Sequence, residues 1–267
     1  MKLTDARVVL RPRSQGELLD LAALWCVRAD RRLYLRLAAL ALLPSLGLCV
    51  GARWLGGWSW IEVWLLAAAL ATASQGVFTV ATSRALFERE VPARSVLRRF
   101  ATSLPRYLLA LLISRAILAV SAVTVLLLPL AWARVAYIHE TVLLEGGGAV
   151  AASTRAWRMG QARAVEVSLL LGGLGLVLVV GTLAAELIGH GLVEFVLQLG
   201  RPLGSLFEDG GSLYALLGFH LAIPYVAVAR FLGYIDERTR GDGWDIQLRF
   251  QALAAARDDA ETREASP

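Results

Sequence analysis

Long apolar runs separated by short clusters of charge organise this chain. A helix rises about 1.5 Å per residue, so a hydrocarbon core about 30 Å thick takes about 20 apolar residues to cross. The runs 33–55, 60–82, 167–188 and 213–234 reach that length, with Trp54, Trp58, Trp60 and Tyr234 at ends where interfacial aromatics sit. Residues 107–144 are too long for one straight crossing. Pro129 divides them, because proline has no N–H to give and its ring clashes with the preceding turn. The pattern therefore predicts two further spans, 107–128 and 129–144, the second short and carrying Arg134, His139 and Glu140.

The connections on one side read as amphipathic interfacial helices. Ser14 and Glu17 have capping-box spacing, and Leu18, Leu21, Ala22 and Trp25 follow on one face, which predicts a helix lying along the membrane. Pro92 suits the first turn of a second such helix, with Val96, Leu97, Phe100 and Leu104 apolar and Arg94, Arg98 and Arg99 facing anionic headgroups. A third is expected after Gly146, Gly147 and Gly148, with Trp157 flanked by Arg155 and Arg158. The fold class expected is all-α: a polytopic transmembrane helix bundle of about six spans. Residues 1–257 form a single membrane domain, with a further amphipathic helix from Trp244 through Phe250 and Leu253, and residues 258–267 form a polar, disordered tail.

Composition agrees, because 57% of the 267 residues are hydrophobic and only 18% charged, which suits lipid better than water. The net charge of +5 does not point to nucleic acid, since the basic residues are interleaved with spans. They set orientation instead. Under six spans all but four of the 27 Lys and Arg, Arg230 included, fall on the side that holds both termini. Arg53 and Arg201 fall on the other side, and Arg115 and Arg134 lie within spans. The positive-inside rule then puts both ends in the cytoplasm of a bacterial cell, in its inner membrane. Charged residues fill the first thirty-two positions, so no cleaved signal peptide is expected. Cys26 and Cys49 have no metal spacing and read as reduced packing residues.

Three blocks carry a family resemblance. They are Arg11-Pro12-Arg13-Ser14-x-Gly16-Glu17-Leu18-Leu19-Asp20; the run from Leu128-Pro129-Leu130-Ala131-Trp132 through Arg134, Glu145 and Gly146 to Ser153, Trp157 and Arg158; and Tyr234-Ile235-Asp236-Glu237-Arg238-Thr239-Arg240 with Gly243-Trp244-Asp245-Ile246 and Leu248. Their order and spacing resemble uncharacterised bacterial membrane proteins related to the membrane domain attached to some glycerophosphoryl diester phosphodiesterases. Leu130 departs from that pattern, standing where many members have glycine. The resemblance implies a six-span helical fold in the cell membrane and no reaction, since the phosphodiesterase chemistry belongs to a separate barrel that this chain has no room for.

Charges inside spans are the sharpest candidates for function, because Arg or Asp at a bilayer centre costs about 2.5–3.5 kcal/mol on insertion scales. Arg115 shares a face with Ala119 and Ala122, so it is expected to face the bundle and to pair with Glu140; Glu62 and Glu186 are the other possible partners. Arg134 would join such a pair on a charged path. Asp236, Arg238, Arg240 and Asp245 crowd the exit of the last span, either locking it to the other inner-side helices or holding lipid phosphates.

Other motifs fall short. His190 and Glu194 are four apart, a weak start for a metal site, and His139-Glu140 fails as a metalloprotease motif because Leu143 stands where the second histidine must be. A phosphate loop and a nucleophile elbow are both missing. Gly172, Gly173, Gly175, Gly181 and Pro224 read as close helix packing or, less simply, as a broken-helix site. With no constellation demanding chemistry, cofactor or metal, the leading expectation is a non-enzymatic accessory or scaffold component of the cell envelope. Its partners would be anionic lipid headgroups and another membrane protein. A small-solute or lipid permease using Arg115, Arg134 and Glu140, and a lipid-acting enzyme with a metal near Asp245, are the alternatives.

Overall fold

The computed structural model describes residues 11–88, 90–124, 127–145 and 148–241. It is helical apart from one small two-stranded ribbon. The elements in chain order are α1 (Gln15–Leu24), α2 (Arg31–Trp54), α3 (Trp60–Ala85), α4 (Ala93–Ala122), α5 (Leu128–Val135), α6 (Ile138–Leu144), α7 (Ala149–Ala162), α8 (Ala164–His190), β1 (Gly204–Ser205), α9 (Leu206–Asp209), β2 (Gly211–Ser212) and α10 (Leu213–Gly241). A π-turn, Trp25–Ala29, continues α1, and another, Gly191–Val196, continues α8.

Five of these, α2, α3, α4, the α8 segment and α10, are long and apolar enough to cross a membrane. Each also turns leucine outward. Leu43, Leu65, Leu112, Leu176 and Leu221 are all at least 60% exposed in the isolated chain, an apolar belt that only lipid would solvate. The chain is a multi-pass membrane protein.

Local sequence explains several element boundaries. Ser14 and Glu17 form the expected capping box, with the Glu17 N–H donating to Ser14 Oγ (3.3 Å) and the Ser14 N–H to Glu17 Oε2 (3.1 Å). Its Arg11 neighbour and the Ser14 amide hold the Glu17 carboxyl below its ordinary range, the amide contributing more. Ser59 and Glu62 repeat the device at the start of α3. Rather than simply lying along lipid, α1 packs on protein: Leu18, Ala22 and Trp25 are buried in the main core, and the Tyr225 hydroxyl of α10 donates to the Leu19 carbonyl.

Two expectations about boundaries are corrected. The surface helix starting at Pro92 and the span starting at Tyr107 are one continuous helix, α4, with Pro105 in its interior and Val96 fully buried. Pro105 has no N–H for the Ala101 carbonyl, yet the helix runs on; the Thr102 and Ser103 hydroxyls donate one turn earlier, to the Arg99 carbonyl. The expected span 129–144 is two helices of 8 and 7 residues, interrupted at Ala136 and Tyr137, while Pro129 does sit in the first turn of α5. The third connecting helix, α7, is not superficial either. Ala149, Ala152, Ala156 and Gly160 form a buried stripe, and a side chain at Gly160 would run into the Ala133 backbone of α5.

Contacts fix which helix ends lie together. The Tyr34 hydroxyl is 2.7 Å from Thr82 Oγ1, Arg84 donates to Ser95 Oγ, Gln15 donates to the Glu166 carbonyl, and the Arg13 N–H donates to Asp236 (2.7 Å). The starts of α1, α2, α4 and α8 and the ends of α3 and α10 therefore share one end of the bundle. At the opposite end, Trp64 donates to the Gly210 carbonyl and the Leu206 N–H to Glu186, fastening the β1–α9–β2 ribbon over the helices. Since α4 leaves the shared end and α8 starts from it, the chain between them must return. The α5–α6 tandem does so, over about 25 Å at helical rise, and delivers Glu145 beside Tyr234 and Arg238 of α10.

Candidate functional site

The helix break at Ala136 and Tyr137 lies against Arg230, a cation only 11% exposed. A continuous helix would use the Ala136 carbonyl internally. Here Arg230 of α10 donates Nη2 to it, while Nη1 donates to Gln75 Oε1 of α3 (3.0 Å). The same guanidinium lies 3.6 Å from Glu140 Oε2. Glu140 is 1% exposed, and that oxygen has no hydrogen bond among the described residues, so the pair is held by charge alone.

Arg230, Gln75 and Ala136 border a partly open cavity of about 160 Å³ between α3, α4, α5, α6, α8 and α10. Gln75, Arg115, Ser114, His139 and Arg230 supply its polar wall, and Leu118, Leu171, Leu174 and Leu178 its apolar one. Arg115 stands at the rim with Trp132, both retaining exposed surface, and donates to Thr72 Oγ1 (3.2 Å). Among the described residues no carboxylate pairs with Arg115.

Close packing of α3 on α4 sets Tyr107 behind His139 of the polar wall. A side chain at Gly76 would meet Phe100 at 2.6 Å and Tyr107 at 2.9 Å, so only glycine lets Tyr107 lie across α3. Its hydroxyl is 2.9 Å from the Thr72 carbonyl oxygen and 2.5 Å from His139 Nδ1. A carbonyl can only accept, so the hydroxyl gives its proton to Thr72 and accepts from Nδ1–H of His139. That assignment leaves the His139 Nε2 lone pair uncommitted.

The sequence expectations distribute as follows. Arg115 and Glu140 both belong to this region, but they do not pair; Arg230, counted above with the inner-side charges, takes Glu140 instead. Arg134 points away, its guanidinium 4.8 Å above the Trp157 ring of α7. Glu62 caps α3, and Glu186 accepts from Leu206 N–H and Ser212 Oγ at the ribbon end, so neither is an intramembrane partner for Arg115. His190 Nε2 is 2.8 Å from Glu194, whose carboxylate also takes Arg201. Hydrogen bonds that Arg201 donates to Glu208 and then to Glu194 raise its pKa, consistent with an exposed ion cluster. No group of three or more potential metal ligands occurs among the described residues.

The block at the end of α10 divides in two. Asp236 accepts from the Arg13 N–H and from Arg240 Nε (2.8 Å), and Arg240 Nη2 donates to the Arg13 carbonyl (2.7 Å). Arg163 lies 3.8 Å from Asp236 and 3.7 Å from Glu237. Arg238 turns instead to Glu145 (3.5 Å), which also takes Arg155 (2.8 Å) and the Tyr234 hydroxyl. Asp245 and the helix expected from Trp244 fall outside the described residues.

Of the four α8 glycines expected to mark close helix packing, Gly181 does so, against Gly218 and Ala222 of α10. Gly172, Gly173 and Gly175 have open space where a side chain would be, and Pro224 leaves α10 unbroken. The same contact is marked from the other side by Gly218 of α10, where a Cβ would lie 2.6 Å from the Gly181 carbonyl oxygen. The residues missed in the sequence are Arg230, Gln75, Tyr107 and Thr72, and one signal was present: Arg230 and Gln75 both lie inside apolar runs. No family model, curated protein or solved structure matches the chain.

Proposed function

We propose that this protein is a permease that takes a small anion, or the anionic head of a small amphiphile, into the cavity between Arg115 and Arg230. One observation carries the reading: two guanidinium groups border one cavity inside the bundle, and the nearest carboxylate, Glu140, is already opposed by one of them. A cation within a bilayer is costly unless it is paired. Among the described residues Arg115 has only a hydroxyl for a partner, and an anion would supply what that wall lacks. The volume suits an ion or head of a few heavy atoms, and the leucine side suits an apolar substituent.

The accessory or scaffold role is the weaker reading. It rests on charges at the inner end, where Asp236 is engaged with Arg240, Arg163 and the entry segment, and Glu145 with Arg155 and Arg238. In the proposed setting the protein sits in a bacterial inner membrane with both ends cytoplasmic. Its likeness to the phosphodiesterase-associated membrane domain then concerns the six-pass arrangement and no hydrolysis.

The test uses full-length protein in detergent and in liposomes, with chloride, sulfate, inorganic phosphate and acetate as probes at constant ionic strength. At least one should raise the melting temperature, by an amount equivalent to about 2.7 kcal/mol at a hundred times its Kd. The same anion should leave loaded liposomes faster when the protein is present, and Arg115→Gln should remove both effects. If none of the four stabilises or moves, the proposal fails.

A further inference from the structure

A second concavity, of about 890 Å³, lies at the shared end of the bundle, between the last turn of α3, the start of α4, the end of α6, α7 and the end of α10. We propose that it seats the headgroup of an anionic phospholipid from the leaflet at that end, a site separate from the cavity around Arg230 and independent of the permease reading.

Charge and position carry this inference together. Arg84, Arg99, Arg155 and Arg238 line the groove against a single lining carboxylate, Glu145. Glu145 is only 14% exposed, and through Arg155 and Arg238 it holds two of the four guanidinium groups at the wall. Arg84 is fixed in the same way by Glu88, with Nε and Nη2 donating to its two oxygens (3.0 and 2.7 Å). Arg99 is exposed, and its guanidinium has no hydrogen bond or ion pair among the described residues. Three preset forks and one unengaged one make an anion site in which little side-chain freedom is lost on binding.

The remaining wall is apolar. Val80, Leu143, Phe231 and Ile235 form the floor of the groove, so the ligand that fits both halves is an amphiphile with a phosphate head. Depth agrees with this, because Arg84 and Phe87 sit where α3 ends, and Arg238 sits in the last turns of α10, the level at which headgroups meet a span. A soluble anion would have no use for the apolar side.

The test is lipid retention by the full-length protein, reconstituted in nanodiscs of equal parts dioleoyl-phosphatidylglycerol and dioleoyl-phosphatidylcholine, extracted with mild detergent and read by native mass spectrometry. Wild type should retain phosphatidylglycerol in preference to phosphatidylcholine. Arg99→Gln should lower that preference about fivefold, the size expected for one basic residue near the headgroups, and Arg99→Glu should lower it further. Arg115→Gln should leave it unchanged, which separates this site from the cavity. Arg99 is exposed, so both variants should melt with wild type; if Arg99→Glu does not fold, Arg99→Gln alone decides. Equal retention of the two lipids, an unchanged preference in Arg99→Gln, or displacement of the lipid by millimolar inorganic phosphate would overturn the proposal.

Discussion

Glu140 of α6 and Arg230 of α10 oppose each other at 3.6 Å with almost no access to solvent, although the acid lies in the return segment and the base in the last span. Each neutralises a charge that its own helix would otherwise bury alone. Removing one partner of such a pair costs about 3–5 kcal/mol, because the other is left uncompensated. Glu140→Leu and Arg230→Leu should therefore each lower the melting temperature in detergent sharply, and the double variant should be less damaged than the two losses combined. Arg115→Leu with Glu140→Leu should behave additively, since no ion pair joins them. Additivity in the Glu140/Arg230 cycle would refute the pairing.

The residues that were legible in advance are those whose roles are local. Bilayer thickness dictates run length, so the apolar runs at 33–55, 60–82, 167–188 and 213–234 reappear within α2, α3, α8 and α10, and the Ser14–Glu17 cap needs only four neighbouring residues. Partners far along the chain were not legible. No glycine or proline marks the break at Ala136; its carbonyl is taken by Arg230, 94 positions away. Pro105 does not interrupt α4, which stays packed through Ser103 and Tyr107 on either side of it. Arg230 looked like an inner-side charge, because charge counting ranks residues by their distance from a span end and says nothing about which face of the helix they occupy.

Gly218 and Gly175 make opposite predictions from the same residue type. A Cβ at Gly218 would press on the Gly181 carbonyl and on Ala185, 2.6 and 2.5 Å away, where α10 packs on α8. Gly218→Val should force those helices apart and cost about 3 kcal/mol or more, read as a lower melting temperature. Gly175→Ala meets nothing within 4 Å and should melt within about 0.5 kcal/mol of wild type. Equal effects at both sites would show that the α8–α10 contact is looser than described.

Cys26 offers a pH-dependent probe of the packing under α1. Burial pushes its thiol up to about 12, since nothing nearby stabilises a thiolate. Between pH 8 and 10 only a small fraction is ionised, so alkylation by iodoacetamide should rise about tenfold per pH unit without a plateau. In SDS the thiol should return to about 8.5, making the reaction at pH 8 about a thousandfold faster than in the folded protein. Cys49, fully buried in α2, should stay unlabelled until the protein unfolds. A plateau near pH 8.5 in the folded protein would mean that α1 does not cover Cys26.

The entry segment is held at Arg13 by its backbone. Its N–H donates to Asp236 and its carbonyl accepts from Arg240, and the same Asp236 carboxylate, 8% exposed, orients that arginine. A protease must draw the peptide bond it cuts into an extended, unpaired form, so trypsin should leave Arg13–Ser14 intact in the folded protein. Asp236→Ala removes the acceptor for the amide and frees Arg240 from its position. The partners are about one-third exposed, so water recovers part of the loss, and about 2 kcal/mol is the reasonable scale. Local opening, and with it cleavage after Arg13 in detergent-solubilised protein, should then rise about thirtyfold where opening and closing outpace cutting. Asp236→Asn keeps an oxygen for the amide while losing the charge, so its rate should fall between the two. If all three proteins were cut alike, the hydrogen bonds at Arg13 would not be what ties the start of the chain to its last helix.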